Sequence, residues 1–83
     1  MKSRIDKKEY TYTNNVLGNR YWYKNGNLHR EKDLPAVMRT DGYKAWYENG
    51  ERHRDKDLPA IIYSNGDMNW FINGKLIREE NEI

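Results

Sequence analysis

The sequence contains no cysteine, so it offers neither a disulfide framework nor a thiolate nucleophile or ligand. No stretch approaches the roughly 18 apolar residues of a membrane span, and the start lacks an apolar run of signal-peptide length. A reducing, cytoplasmic setting is therefore expected. Leu, Ile, Val and Phe together number only 14 in 83 residues, a supply that by itself leans toward disorder. Catalytic templates are missing as well. There is no glycine-rich phosphate loop before a helix and no HExxH, and Ser3 and Ser64 have no nearby base. These gaps point away from an enzyme and from any cofactor.

What is present argues for a fold. The net charge is only +2, and 3 Trp, 7 Tyr and 1 Phe can bury large areas each. The order of residues repeats. Trp22, Trp46 and Trp70 lie 24 apart, as do Gly26, Gly50 and Gly74, and Arg30, Arg54 and Arg78. Residues 21–44 laid over 45–68 give twelve identities without a gap, and residues 69–78 begin a third copy. Residues 9–20 read as a degraded rear half-unit. The domain thus spans 9–79, between a basic tail at 1–8 (Lys2, Arg4, Lys7, Lys8) and an acidic tail at 80–83.

Each unit predicts three short strands. Asn25-Gly26, Asn49-Gly50 and Asn73-Gly74 are two-residue type I′ hairpin signals, and Asp41-Gly42 and Asn65-Gly66 repeat the signal between the other strands. Strands are expected near 9–16, 20–24, 27–30, 35–40, 43–48, 51–54, 59–64, 67–72 and 75–79, with EKDL and DKDL as longer connections. Pro35 and Pro59 open a strand where a missing N–H is tolerated. The fold class is all-β: an antiparallel meander of about three repeats, open at both ends.

The pattern W-Y-x-N-G-x-x-H-R, then D-L-P-A, then a turn glycine resembles MORN-type repeats. It is closest to divergent copies in bacteriophage and large-virus proteins and more distantly similar to YwqK-like proteins. Trp46, Asn49, Gly50 and His53 carry the match, over about residues 9–78. Arg54 stands where a standard MORN unit has glycine, so membrane association is not carried over. The resemblance implies a β-hairpin array, a binding role and a viral origin. On that analogy the chain is a small inhibitor or adaptor acting on a host protein, such as a defence nuclease.

Several side chains invite a chemical reading. His29 and His53 occupy one repeat position and would sit about 14 Å apart, too far for a shared metal site. Architecture is the simpler role. Arg30 with Asp33 and Arg54 with Asp57 read as local brackets within a unit, with phosphate gripping as the alternative. Period-2 alternation separates a Tyr23–Tyr47–Phe71 row from a Trp22–Trp46–Trp70 row. The Tyr/Phe row, less crowded by charge, is the expected core face, with Ala36, Ala60, Val37/Ile61 and Met38/Ile62. The Trp row then lies among Lys and Arg stems, either capped by them or forming the centre of an interface.

Positions identical in every copy serve the repeated fold, and those that differ are free to carry specificity. Arg39, Arg52, Tyr63 and Met68 are such positions and, with the three tryptophans, make the expected partner-binding set. Three functions compete: docking a protein, binding nucleic acid through aromatics interleaved with Arg and Lys, and self-association through open strand edges.

Overall fold

The computed structural model describes residues 9–82. It is all-β, without a helix among those residues, and built as an antiparallel sheet. The strands are β1 (Tyr10–Asn14), β2 (Arg20–Lys24), β3 (Asn27–Leu28), β4 (Val37–Met38), β5 (Lys44–Ala45), β6 (Tyr47–Glu48), β7 (Glu51–Arg52), β8 (Ile61–Ile62), β9 (Met68–Ile72) and β10 (Lys75–Glu80). The main sheet runs β1-β2-β4-β5-β8-β9-β10, with β3 attached to β2 and β6-β7 forming a separate ribbon.

The expected meander holds, with one refinement. Whereas β9 of the third unit pairs with β10 throughout, in the first two units the central strand changes partner at its tryptophan. Its first half pairs into the main sheet, Ala45 lying between Val37 and Ile61. Its second half leaves with the Asn-Gly hairpin, Tyr47 pairing Arg52. Trp46 is the branch point: its N–H donates to the Ala60 carbonyl at 2.7 Å, and its own carbonyl accepts from His53 N–H at 3.1 Å. Trp22 repeats this with Ala36 at 2.8 Å and His29 at 3.0 Å. The predicted strand 43–48 is therefore two short pieces serving two neighbours, and 27–30, 35–40, 51–54 and 59–64 shorten to two residues each.

The turns follow their chemistry. Asn25, Asn49 and Asn73 have φ of 50°, 51° and 49°, each followed by a glycine beyond +80°, the two left-handed positions of type I′. Asp41-Gly42 and Asn65-Gly66 depart from the expected I′ form, because only the glycine has positive φ. Thr40, Asp41 and Gly42 make a three-residue loop ending in a left-handed glycine, and Asp41 Oδ1 accepts the Tyr43 N–H at 3.0 Å. The connections EKDL and DKDL hold a feature their residues do not advertise. Lys32 and Asp33, and again Lys56 and Asp57, are consecutive non-glycine residues at φ between 58° and 66°. Each such residue costs about 1–2 kcal/mol of backbone strain.

The molecule is only 17 Å across its thinnest direction, one sheet with side chains on both faces. On one face Val37, Ala45 and Ile61 are buried, with Tyr21, Leu28, Tyr43, Tyr47, Tyr63 and Phe71 packed partly buried around them. Burying Ile61 contributes about 1.5–3 kcal/mol. The other face was expected to be the outer one and is not. Trp46 and Trp70 are exposed by only 7% and 6%. Ala36 and Ala60, fully buried, alternate onto this indole face with Met38 and Ile62 instead of joining Val37 and Ile61. With so few aliphatic residues, one face cannot bury enough area, and the chain makes a thin core on each.

Candidate functional site

The repeated polar residues build the joints between units. His53 Nδ1 accepts the Asn73 N–H of the next hairpin turn at 2.9 Å, and His29 Nδ1 accepts that of Asn49 at 2.9 Å. Beside them Gly74 N–H donates to the Arg52 carbonyl and Gly50 N–H to the Leu28 carbonyl, both at 2.8 Å. The second and third hairpin tips are thus hung on the returning strand of the hairpin before them. The strained loops complete the joint. Their left-handed residues aim the Asp33 carbonyl at Trp46 Nε1–H and the Asp57 carbonyl at Trp70 Nε1–H, each at 3.0 Å. Two buried indole donors are thereby satisfied.

The Arg–Asp bracket also differs from expectation, because it joins units and does not close within one. Arg54 binds Asp33 of the preceding unit through both carboxylate oxygens, at 2.9 and 3.2 Å, and Arg78 reaches Asp57 at 3.8 Å. This contact holds the Asp33 carboxyl below the ordinary carboxylate range. The same guanidiniums lie over the indoles: Arg30 at 3.7 Å from the Trp22 ring, Arg54 at 3.8 Å from Trp46 and Arg78 at 4.2 Å from Trp70. The capping role weighed for Arg is the one observed, worth about 0.5–2 kcal/mol per pair. For Trp46 and Trp70 this corrects the expectation of an exposed indole ladder, since a partner would have to displace the lid first. Trp22 is only half-buried, and among the described residues no loop carbonyl accepts its indole N–H.

One cluster has the spacing of a metal site. Glu48, His53 and Asp55 offer ligand atoms within 4.8 Å of one another. The imidazole is wired the wrong way for it. Because Nδ1 accepts a backbone N–H, the neutral ring carries its proton on Nε2, which faces Asp55 Oδ1 at 2.8 Å. Metal-binding histidines instead donate from the nitrogen that does not ligate. The groove around this cluster, lined by Trp46, Glu48, His53 and Arg54, holds about 190 Å³. Ordinary ligand pockets hold about 300–1,000 Å³. The residues serve the joint.

The repeat-breaking residues gather elsewhere. Arg39, Arg52 and Tyr63 all fall on the tyrosine face. The Arg39 guanidinium lies 4.1 Å from the Tyr43 ring, and Tyr43 meets Tyr63 edge-on at 5.7 Å. Asn69 Nδ2–H donates to the Tyr63 hydroxyl at 3.1 Å. Arg52 sits 5.4 Å from Phe71 and 5.9 Å from Tyr47, beside a shallow open depression shared with Gly50, Glu51 and Gly74. Burial raises the Tyr43 hydroxyl above its ordinary value. Among the described residues neither Arg39 nor Arg52 stands within ion-pair distance of a carboxylate, unlike Arg54 and Arg78. Met68 is not part of this group, for it pairs Ile62 and Glu80 on the indole face. Tyr47 and Phe71, assigned to the core from sequence, belong with Tyr43 to the same half-open surface. Their partial burial reflects a core face that no second layer covers.

The class these observations define is a single-sheet β-repeat whose units are hung on one another by His, Asp, Arg and Trp. Comparison with protein-family models, curated proteins and solved structures yields no match.

Proposed function

We propose that the chain is a non-enzymatic protein-interaction module that docks through its tyrosine face. The observation that carries this reading is the convergence of Arg39, Arg52 and Tyr63 there. All three break the repeat, so the repeated fold does not require them. Tyr and Arg are the usual anchors of interface hot spots, and here they surround half-buried rings that need no new burial of aliphatic surface. The Arg39 guanidinium lies over the Tyr43 ring and that of Arg52 at cation–π distance from Phe71 and Tyr47, with hydrogen-bonding edges left for a partner's carboxylates. By analogy with the phage and large-virus repeats it resembles, the chain acts as a small inhibitor or adaptor on a host protein in the cytoplasm, a defence nuclease being the leading candidate class.

The immobilised protein should retain one bacterial protein near equal stoichiometry. Arg39→Glu with Arg52→Glu should abolish retention, whereas Lys56→Glu on the opposite side should leave it intact. Retention that survives the double substitution refutes the assignment. Stacked arginines beside tyrosines also suit a single-stranded nucleic acid. That second reading requires a complex with an oligonucleotide at low salt that weakens steeply as salt rises.

A further inference from the structure

The two ends of the sheet differ in a way that bears on association between copies. At the C-terminal edge, four of the six residues of β10 are charged: Lys75, Arg78, Glu79 and Glu80. The register against β9 breaks between Leu76 and Arg78, and Glu82 N–H is tied back to Asp67 Oδ1 at 2.7 Å. Charge and a bulge are the usual devices that keep a strand edge from pairing. At the other edge, β1 reads Tyr-Thr-Tyr-Thr-Asn, with no charge, no proline and five consecutive pairs in unbroken register with β2. Among the described residues none of the guarding devices is present there. The strand is also preordered. Tyr12 packs on Trp22 with ring centroids 5.0 Å apart, and the Tyr10 hydroxyl donates to Glu31 at 3.0 Å.

The hydrogen-bond parity of β1 is fixed at both ends. Asn25 N–H donates to the Glu9 carbonyl, and Asn15 N–H to the Asn19 carbonyl. The odd-numbered residues therefore face β2, and the N–H and C=O groups of Tyr10, Tyr12 and Asn14 point outward. Among the described residues nothing pairs with them. The middle one of these three is Tyr12, so the outward set maps onto itself under a two-fold axis through Tyr12.

We propose that β1 pairs with β1 of a second copy, antiparallel and centred on Tyr12, to give a closed two-fold dimer. This inference is independent of the tyrosine-face reading. In this register Tyr12 faces Tyr12 of the second copy, Tyr10 faces Asn14, and Thr11 faces Thr13. Both outward groups of the three residues are satisfied across the axis, giving six backbone hydrogen bonds, and no like charges are opposed. The Tyr12 rings would extend the Trp22–Tyr12 contact into a four-ring row across the interface, on the indole face. Because the guarded β10 edge offers no matching strand, association stops at two and does not run into filaments. So small an interface implies a dissociation constant on the order of 100 µM.

The experiment is analytical ultracentrifugation of the intact chain across a concentration series, at low salt. The mass should double toward high concentration. Tyr12→Lys and Tyr12→Glu each place like charges opposite one another on the axis and should be monomeric when alone. Mixed in equal amounts, the two should dimerise. Asn14→Pro, which removes an outward N–H and none of the β1–β2 bonds, should weaken the dimer at least tenfold, with circular dichroism checking the fold. Monomer throughout in the native chain, dimers that survive either Tyr12 charge, a monomeric mixture, or growth beyond two copies would each overturn the proposal.

Discussion

His53 Nδ1 accepts the backbone N–H of Asn73 at 2.9 Å, and with the Gly74 N–H on the Arg52 carbonyl this bond joins the returning strand of one hairpin to the turn of the next. His29 and Asn49 stand in the same relation, with the His29 side chain exposed by only 8%. Removing the acceptor leaves a turn N–H without its partner. His29→Ala and His53→Ala, with side chains 8% and 10% exposed, should therefore each cost about 1–3 kcal/mol in urea unfolding. Loss at neither position would mean that these bonds do not hold the joints.

Acid should loosen the joints in a defined window. The Asp33 carboxyl is held below its ordinary 3.8, first by its hydrogen bonds from Arg54. Glu31 is held below 4.5, first by His29 and then by Tyr10. A carboxyl whose folded value is depressed binds fewer protons folded than unfolded. Its stabilising contribution is present above the ordinary value and is lost as pH falls through and below it. Both side chains are largely exposed, so each contribution is small and screened. Thermal unfolding followed from pH 6 to pH 2 should show the midpoint falling mainly below about pH 4.5, in keeping with carboxyl titration. In Asp33→Asn that fall should be shallower, with a lower midpoint at pH 6.

Strain at the DKDL loop makes a prediction of opposite sign. Lys56 holds φ 66° so that the Asp57 carbonyl can reach Trp70 Nε1. Glycine adopts that conformation without the steric cost of a Cβ, although it loses more entropy on folding. Lys56→Gly should leave stability unchanged or raise it by up to about 1 kcal/mol, whereas Lys56→Val should lower it by about 1–2 kcal/mol. A glycine variant clearly less stable than the native chain would show that the Lys56 side chain contributes more than its backbone costs.

The fold was legible because its determinants are local. Asn25-Gly26, Asn49-Gly50 and Asn73-Gly74 form the type I′ turns their residues specify, although Asn65-Gly66 does not, and the 24-residue period announces equivalent units. The partners of Asp33 and of the histidines were not legible. Asp33 binds Arg54, 21 residues later, and His53 binds Asn73, 20 residues later. Sequence spacing suggested the nearer partner, Arg30 for Asp33. Only the stacking of units shows that the farther one is at hand. The left-handed Lys-Asp pairs were hidden for a related reason: no glycine or asparagine marks them, and their strain is explained by an indole in the following unit. On the candidate site, the choice of Arg39, Arg52 and Tyr63 as repeat-breaking residues came from sequence alone. Their meeting on one face required the register. Period-2 alternation identified two faces but could not reveal that both are partly buried.

Which face is open at a given unit can be read from its tryptophan. Trp46 and Trp70 are closed by an arginine lid on one side and by a strained loop from the preceding unit, whose carbonyl takes the indole N–H. Trp22 has its arginine lid and the Tyr12 ring but, among the described residues, no loop carbonyl on its indole N–H. Single-tryptophan chains, with the other two changed to Phe, should therefore differ in acrylamide quenching. Trp22 should quench several-fold faster than Trp46 or Trp70, whose emission should lie further to the blue. Replacing Arg54 by Ala in the Trp46-only chain should raise its quenching toward the Trp22 value by uncovering the ring face, with the indole N–H still bonded to the Asp33 backbone carbonyl. Arg54→Lys should raise it less, since an ammonium covers the ring poorly but keeps its stem over it. Indistinguishable quenching at the three positions would show that the preceding unit's loop does not shield the indole, and the account of these loops as lids would fall with it.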